Sequence, residues 1–211
     1  MPELERNEPV TNTRAQIESL LEQTGALRRG HFVLSSGLHS DQYCQCAALF
    51  TQPDIARRVA HLMADDMATA PVPDVVLAPA LGGMLWGYEL ARQLGVRTLF
   101  AERSRDGQFA LRRGFAIEPG EKVLLAEDVV TTGGSVMELV PLCEDAGASV
   151  SGIAVLVDRS GGSFQPNVPL HSLIELDIPT WPADALPDHL QGVAVDRPGS
   201  RKAAAPGEQR I

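Results

Sequence analysis

The sequence predicts an α/β fold: a parallel sheet with helices on both faces. Three observations carry that prediction. Short apolar, β-branched runs recur at 74–79 (DVVLAP), 96–101 (VRTLFA), 122–127 (KVLLAE) and 151–158 (SGIAVLVD). Stretches with helical spacing separate several of them, and glycine or turn residues follow the runs. Continuous apolar strands alternating with helices suit a sheet in which neither face of a strand meets water. Right-handed crossovers then gather the loops after Pro79, Ala101, Asp128 and Asp158 along one edge, where such sheets bind ligands.

The remaining elements follow in chain order. A first helix is expected from Thr13 to Gln23, with Thr13 and Gln16 at capping-box spacing, Ile17, Leu20 and Leu21 on one face, and Gly25 as its stop. The stretch 31–50 (HFVLSSGLHSDQYCQCAALF) reads as extended segments joined by a tight turn at Gly37, with Cys44 and Cys46 on one side of a strand as small buried residues. Pro53 suits the first turn of a second helix that buries Ile55, Val59, Leu62 and Met63. An apolar helix runs from ALGG to Gly95, and another from Gly134 to Ala146, in which Pro141 must cause a kink or an early end.

A length of 211 residues suits one domain, 1–196, with 197–211 as a flexible tail of little apolar surface. Hydrophobic content of 44% supports a full core, and a net charge of −9 argues against a nucleic-acid partner. No apolar run reaches the roughly 18 residues of a membrane span. Residues 1–10 lack the pattern of a signal peptide, and three cysteines are too few for a disulfide framework, so a cytoplasmic protein is expected.

The chemistry concentrates in 122–137, KVLLAEDVVTTGGSVM. Gly133 and Gly134 let the backbone turn its N–H groups inward, while Thr131, Thr132 and Ser135 add hydroxyl donors at a helix start. That composition fits a phosphate monoester. Glu127 and Asp128, just before this loop, would repel phosphate but accept hydrogen bonds from vicinal hydroxyls, or reach a magnesium shell through water. Neither GxxxxGK[ST] nor GxGxxG is present, which counts against a P-loop NTPase and a dinucleotide enzyme.

The segment LLAEDVVTTGGSV resembles the phosphoribosyl-pyrophosphate (PRPP) motif of type I phosphoribosyltransferases. GHFVLSSGLHSDQY (30–43), LAPALGGMLWGYELARQLG and VDRSGG (157–162) are similar, in the family's order, to segments of the orotate phosphoribosyltransferases. The resemblance covers about Ala26 to Gly162. It implies a Rossmann-like parallel sheet of the type I phosphoribosyltransferase fold, plus a small N-terminal hood built from 1–50 with C-terminal elements.

The same resemblance assigns roles. Glu127, Asp128, Val129, Val130, Thr131, Thr132, Gly133, Gly134 and Ser135 would bind the ribose and 5′-phosphate of PRPP, and Ala80, Leu81, Gly82 and Gly83 its pyrophosphate. Tyr43, Cys44, Thr131 and Arg159 would contact orotate, Arg159 through its carboxylate. Mg²⁺ would be held mainly by PRPP, with Glu127 and Asp128 reaching it through water. The implied reaction is transfer of the ribosyl 5-phosphate group from PRPP to N1 of orotate, giving orotidine 5′-monophosphate and pyrophosphate for pyrimidine biosynthesis.

The chain departs from the family in three places. Gly82 and Ser35 stand where many relatives have lysine, and 102–115 (ERSRDGQFALRRGF) lacks the lysines and histidine of the family's mobile loop. Arg103 matches that loop's leading arginine; Arg105, Arg112 and Arg113 are its other cations. Arg103, Arg105 and Asp128 are therefore the candidate catalytic residues, in a homodimer whose 102–115 loop reaches the neighbouring site. Two alternatives remain at this point: a phosphoribosyltransferase for another base, or a PRPP-sensing regulator on the same fold.

Overall fold

The computed structural model of the chain describes residues 10–34 and 36–198, with side chains from Arg14 onward. In chain order the helices and strands begin with α1 (Val10–Gln23), β1 (Leu27–Val33), β2 (His39–Cys44), α2 (Pro53–Asp66), β3 (Val75–Pro79) and α3 (Gly82–Leu94). There follow β4 (Arg97–Arg103), β5 (Phe109–Leu111), β6 (Lys122–Val130), α4 (Gly134–Met137), α5 (Val140–Asp145), β7 (Ser149–Asp158), β8 (Leu170–Glu175) and β9 (Val195–Asp196). They divide between two compact units, Met1–Ala26 with Gln45–Asp177 and Leu27–Cys44 with Ile178–Ile211.

The first unit holds a six-stranded sheet in the order β5-β4-β3-β6-β7-β8. Every neighbouring pair is parallel except β4 and β5, which form an antiparallel hairpin. Val75, Val76 and Leu77 of β3 and Ile153 to Val157 of β7 are fully buried, as a sheet covered on both faces demands. A Cβ on Gly87 would lie 2.9 Å from Ala78 Cβ, so α3 lies directly against β3. Buried Trp86 donates its indole N–H to the Ala154 carbonyl at 3.1 Å, tying α3 across the sheet to β7. Pro79, Val130 and Asp158 end their strands at the same edge.

Several boundaries differ from those expected. β4 continues to Arg103 and β6 to Val130, so Arg103, Glu127 and Asp128 stand on strands. The hairpin partner β5 and the edge strand β8 have no counterpart in the sequence reading. One is three residues long, and the other has mixed burial without clean alternation. α1 begins at Val10, so Thr13 lies inside the helix and is not its start. Cys44 closes β2 while buried Cys46 opens a 3₁₀ turn, so the two do not share a strand. The expected 134–146 helix is broken into α4 and α5, with Pro141 in the first turn of α5. Proline has no N–H to continue the ladder, so the break falls where its chemistry requires.

The second unit carries a three-stranded sheet, β2-β1-β9. The β1–β2 turn uses Gly37 at φ +84°, a left-handed conformation that glycine adopts without strain. β9 runs parallel to β1, and Arg28 pairs with Asp196 at 2.6 Å. His31 lies 3.1 Å from the Val193 carbonyl and 2.6 Å from His39, and Ser40 Oγ donates to Pro179 O at 2.8 Å. This unit joins Leu27–Cys44 to Ile178–Ile211, whereas the expectation from sequence is a hood mainly from 1–50 with C-terminal elements. α1 belongs with the six-stranded sheet, where Arg14 donates to Glu175 O at 3.0 Å. Residues 1–9, Ser35 and the tail from Gly199 lie outside the described residues, as does the side chain of Thr13. No helix among the described residues is long and apolar enough to cross a membrane.

Candidate active site

Glu127 and residues 129–136 line an open concavity of about 70 Å³ at the sheet's carboxyl edge. β6 delivers the chain into it, and Gly133, at φ +78°, turns the backbone into α4. A Cβ on Gly133 would lie 2.1 Å from the ring of buried Phe164, so this backbone conformation and packing call for glycine. α4 has four residues, with Met137 N bonded to Gly133 O at 2.9 Å and Glu138 N to Gly134 O at 3.0 Å. So short a helix has little macrodipole. What the site offers an anion is therefore the turn's own N–H groups and the Thr131, Thr132 and Ser135 hydroxyls.

Beside this cradle sit the two carboxyls. Burial and the neighbouring Asp128 charge push the Glu127 carboxyl up to about 9, and burial raises Asp128 as well. Glu127 Oε1 accepts from Asp128 N at 3.3 Å, and Asp128 Oδ1 from Val129 N at 3.0 Å. Two adjacent, poorly solvated acids with no cationic partner among the described residues suit a ligand that brings hydroxyl donors or a divalent cation.

The 80–83 turn packs directly on this pair. Ala80 N donates to Ala101 O at 2.8 Å, and the Ala80–Leu81 peptide bond is cis. A Cβ on Gly82 would lie 3.0 Å from Asp128 Oδ1. One on Gly83 would lie 2.9 Å from Ala126 O and 3.2 Å from Glu127 Oε1. Gly83 therefore lets the backbone come closer to the Ala126 carbonyl than a side chain would allow, and Gly82 lies close against the Asp128 carboxylate. The structure brings the predicted pyrophosphate and ribose segments together.

The 102–115 segment is the β4–β5 hairpin and its exit. Arg103 pairs with Glu138 at 2.7 and 3.1 Å, and Arg113 pairs with Glu102 at 2.9 Å through two nitrogens. Arg105 and Arg112 are exposed. Glu138 and Phe164, which shape this region, escaped the sequence reading. Glu138 follows the phosphate loop as an unremarkable helical acid, and Phe164 lies outside every motif.

Arg159 follows β7, and its backbone N–H bonds to Val130 O at 2.8 Å, beside the start of the phosphate loop. Its Nε is buried and has no hydrogen-bond partner among the described residues. Buried donors are normally satisfied, so this one marks a place where an acceptor belongs. Thr131 lies in the same unit; Tyr43 and Cys44 are the last residues of β2 in the other unit.

Known proteins resemble this chain over most of its length. The model of the phosphoribosyl transferase domain family matches residues 45–186. The orotate phosphoribosyltransferase of Thermotoga maritima is 46% identical over 185 residues, 88% of this chain and 98% of the relative. That of Caulobacter vibrioides is 47% identical over 179 residues, 84% of this chain and 92% of the relative. The crystal structure of the Aeropyrum pernix orotate phosphoribosyltransferase superposes with a TM-score of 0.65 at 27% identity, covering 76% of this chain and 93% of that one. With the PRPP-type loop, the acid pair and the glycine turn assembled at one sheet edge, these likenesses run nearly end to end, and the chain belongs to the orotate phosphoribosyltransferase family.

Proposed function

We propose that this chain transfers the ribosyl 5-phosphate group from PRPP to N1 of orotate, releasing pyrophosphate. The observation that carries this reading is the partnerless Nε of Arg159 beside the phosphate loop. Orotate offers it a carboxylate, which uracil and the purines lack. The 131–135 turn holds the 5′-phosphate, Glu127 and Asp128 accept from the ribose hydroxyls, and residues 80–83 present N–H groups to the pyrophosphate. Tyr43 and Cys44 contact the pyrimidine edge, a role that rests on the sequence resemblance.

The N1–C1 bond forms as the bond from C1 to the pyrophosphate oxygen breaks, through a state with oxocarbenium character. Orotate is already anionic, so no strong base is required. Mg²⁺, carried mainly by PRPP near the two acids, supplies neutralisation of pyrophosphate charge when bound. The protein's own cations for that charge come from the hairpin, with Arg103 and Arg105 the candidates. Water excluded at the moment of cleavage cannot intercept the sugar.

The enzyme works as a homodimer in the cytoplasm, each hairpin serving the neighbouring site. Supporting an interface, Leu81, just before α3, and Leu85 and Tyr88 on it are exposed apolar side chains at helix-face spacing, 82%, 53% and 56% accessible. The test of function is direct: protein, Mg²⁺ and PRPP are mixed with orotate, uracil or adenine, and base consumption is followed by absorbance. Loss of orotate alone is expected; turnover of another base in its place overturns the reading.

A further inference from the structure

Four arginines stand on the hairpin and its exit, and the fold itself engages two of them. Arg113 is held by Glu102 through two nitrogens at 2.9 Å and lies 5.8 Å from the Phe100 ring centre. Arg103 is held more fully. It meets both Glu138 oxygens at 2.7 and 3.1 Å, donates to Gly107 O at 2.6 Å, and lies over the Phe109 ring at 4.1 Å. Its partner at Gly107 is part of the turn that closes the hairpin, where Gly107 N bonds back to Ser104 O at 3.0 Å.

Glu138 has a second connection. Its own N–H bonds to Gly134 O at 3.0 Å, and Gly134 belongs to the phosphate loop. The chain from phosphate loop through Glu138 and Arg103 to the hairpin turn is thus continuous. Arg105 sits in that turn, exposed, with no hydrogen bond or ion pair among the described residues. Moving the Arg103 guanidinium onto a ligand would break a two-pronged ion pair, a carbonyl contact and an aromatic contact. Moving Arg105 breaks nothing.

Resting on the phosphoribosyl-transfer reading, we propose that Glu138 is a positioning residue: it pins Arg103, and with it the hairpin turn, to the helix that opens at the phosphate loop, so that Arg105, not Arg103, is presented to the departing pyrophosphate. Glu138 is then coupled to catalysis without touching substrate. The opposite assignment, in which Arg103 meets pyrophosphate, makes Glu138 a competitor for that guanidinium. The two assignments give effects of opposite sign when Glu138 is removed.

The experiment compares Glu138→Ala, Arg103→Met, their double variant and Arg105→Met with wild type. Arg105→Met should lower kcat by about 100-fold, in line with loss of a group that stabilises only the transition state. Glu138→Ala and Arg103→Met should each lower kcat by about 10-fold, with the KM for PRPP within about twofold, and their effects should not add in the double variant. A kcat for Glu138→Ala at or above wild type overturns the proposal, as does Arg103→Met being more damaging than Arg105→Met. Hydrogen exchange in the unliganded proteins reads the pin without any turnover. Amides 104–108 should exchange faster in Glu138→Ala and Arg103→Met than in wild type or Arg105→Met, and unchanged exchange sinks the pin. A wild type inactive on orotate refutes the function instead, leaving the exchange result to judge the pin.

Discussion

Glu127 holds its proton far above the usual carboxylate range, at about 9, because it is buried and stands next to Asp128. The folded chain therefore binds this proton more tightly than the unfolded chain, whose glutamate titrates near 4.5. The stabilising contribution is full below the unfolded value and is lost as pH rises towards the folded one. Glu127→Gln mimics the protonated form, so without ligands its melting temperature should overtake that of wild type increasingly between about pH 5.5 and 8.5, inside the span between those two values. A constant difference across that range would mean that Glu127 is not held protonated. At Arg159 the expected effect is on substrate recognition. Arg159→Ala should raise the KM for orotate by roughly 30-fold or more, the equivalent of at least about 2 kcal/mol for a lost charged contact. The KM for PRPP should change far less, and steady-state kinetics with each substrate varied separate the two.

At the scale of elements, the phosphate turn depends on packing behind it. Gly133 combines a left-handed backbone with the Phe164 ring where a Cβ would go. Gly133→Ala should destabilise the protein by roughly 2–4 kcal/mol through backbone strain and overpacking together, read by denaturant unfolding. A Gly133→Ala, Phe164→Ala double variant should recover the overpacking share but not the strain. The break between α4 and α5 belongs to the same scale. Pro141 ends the ladder from α4, leaving Glu138 at the point where the chain changes course.

For the whole molecule, the proposed dimer makes a prediction that no single chain can satisfy. Arg105→Ala and Asp128→Asn should each be nearly inactive. Mixed and allowed to exchange subunits, they should form hybrids in which one site has both its own Asp128 and its neighbour's Arg105. Activity rising above either parent is expected, and none should appear if the hairpin serves its own subunit. The parallel strands, the glycine turn after β6, the acid pair and the break at Pro141 were legible in the sequence alone, because each is written in a short contiguous segment. β-branched runs, Gly-Gly within hydroxyl residues, and a proline act through local chemistry. The tertiary structure decided what depends on partners distant in sequence. It paired Arg103 with Glu138, 35 residues away, set Phe164 against Gly133, and added β5 and β8 to the sheet edges. It also laid Gly82 and Gly83 against the carboxyls 44 to 46 positions later. A sequence lists the groups able to meet, but packing chooses among them, since each carboxylate or aromatic ring has many partners of equal local merit and only one that the assembled fold brings within reach.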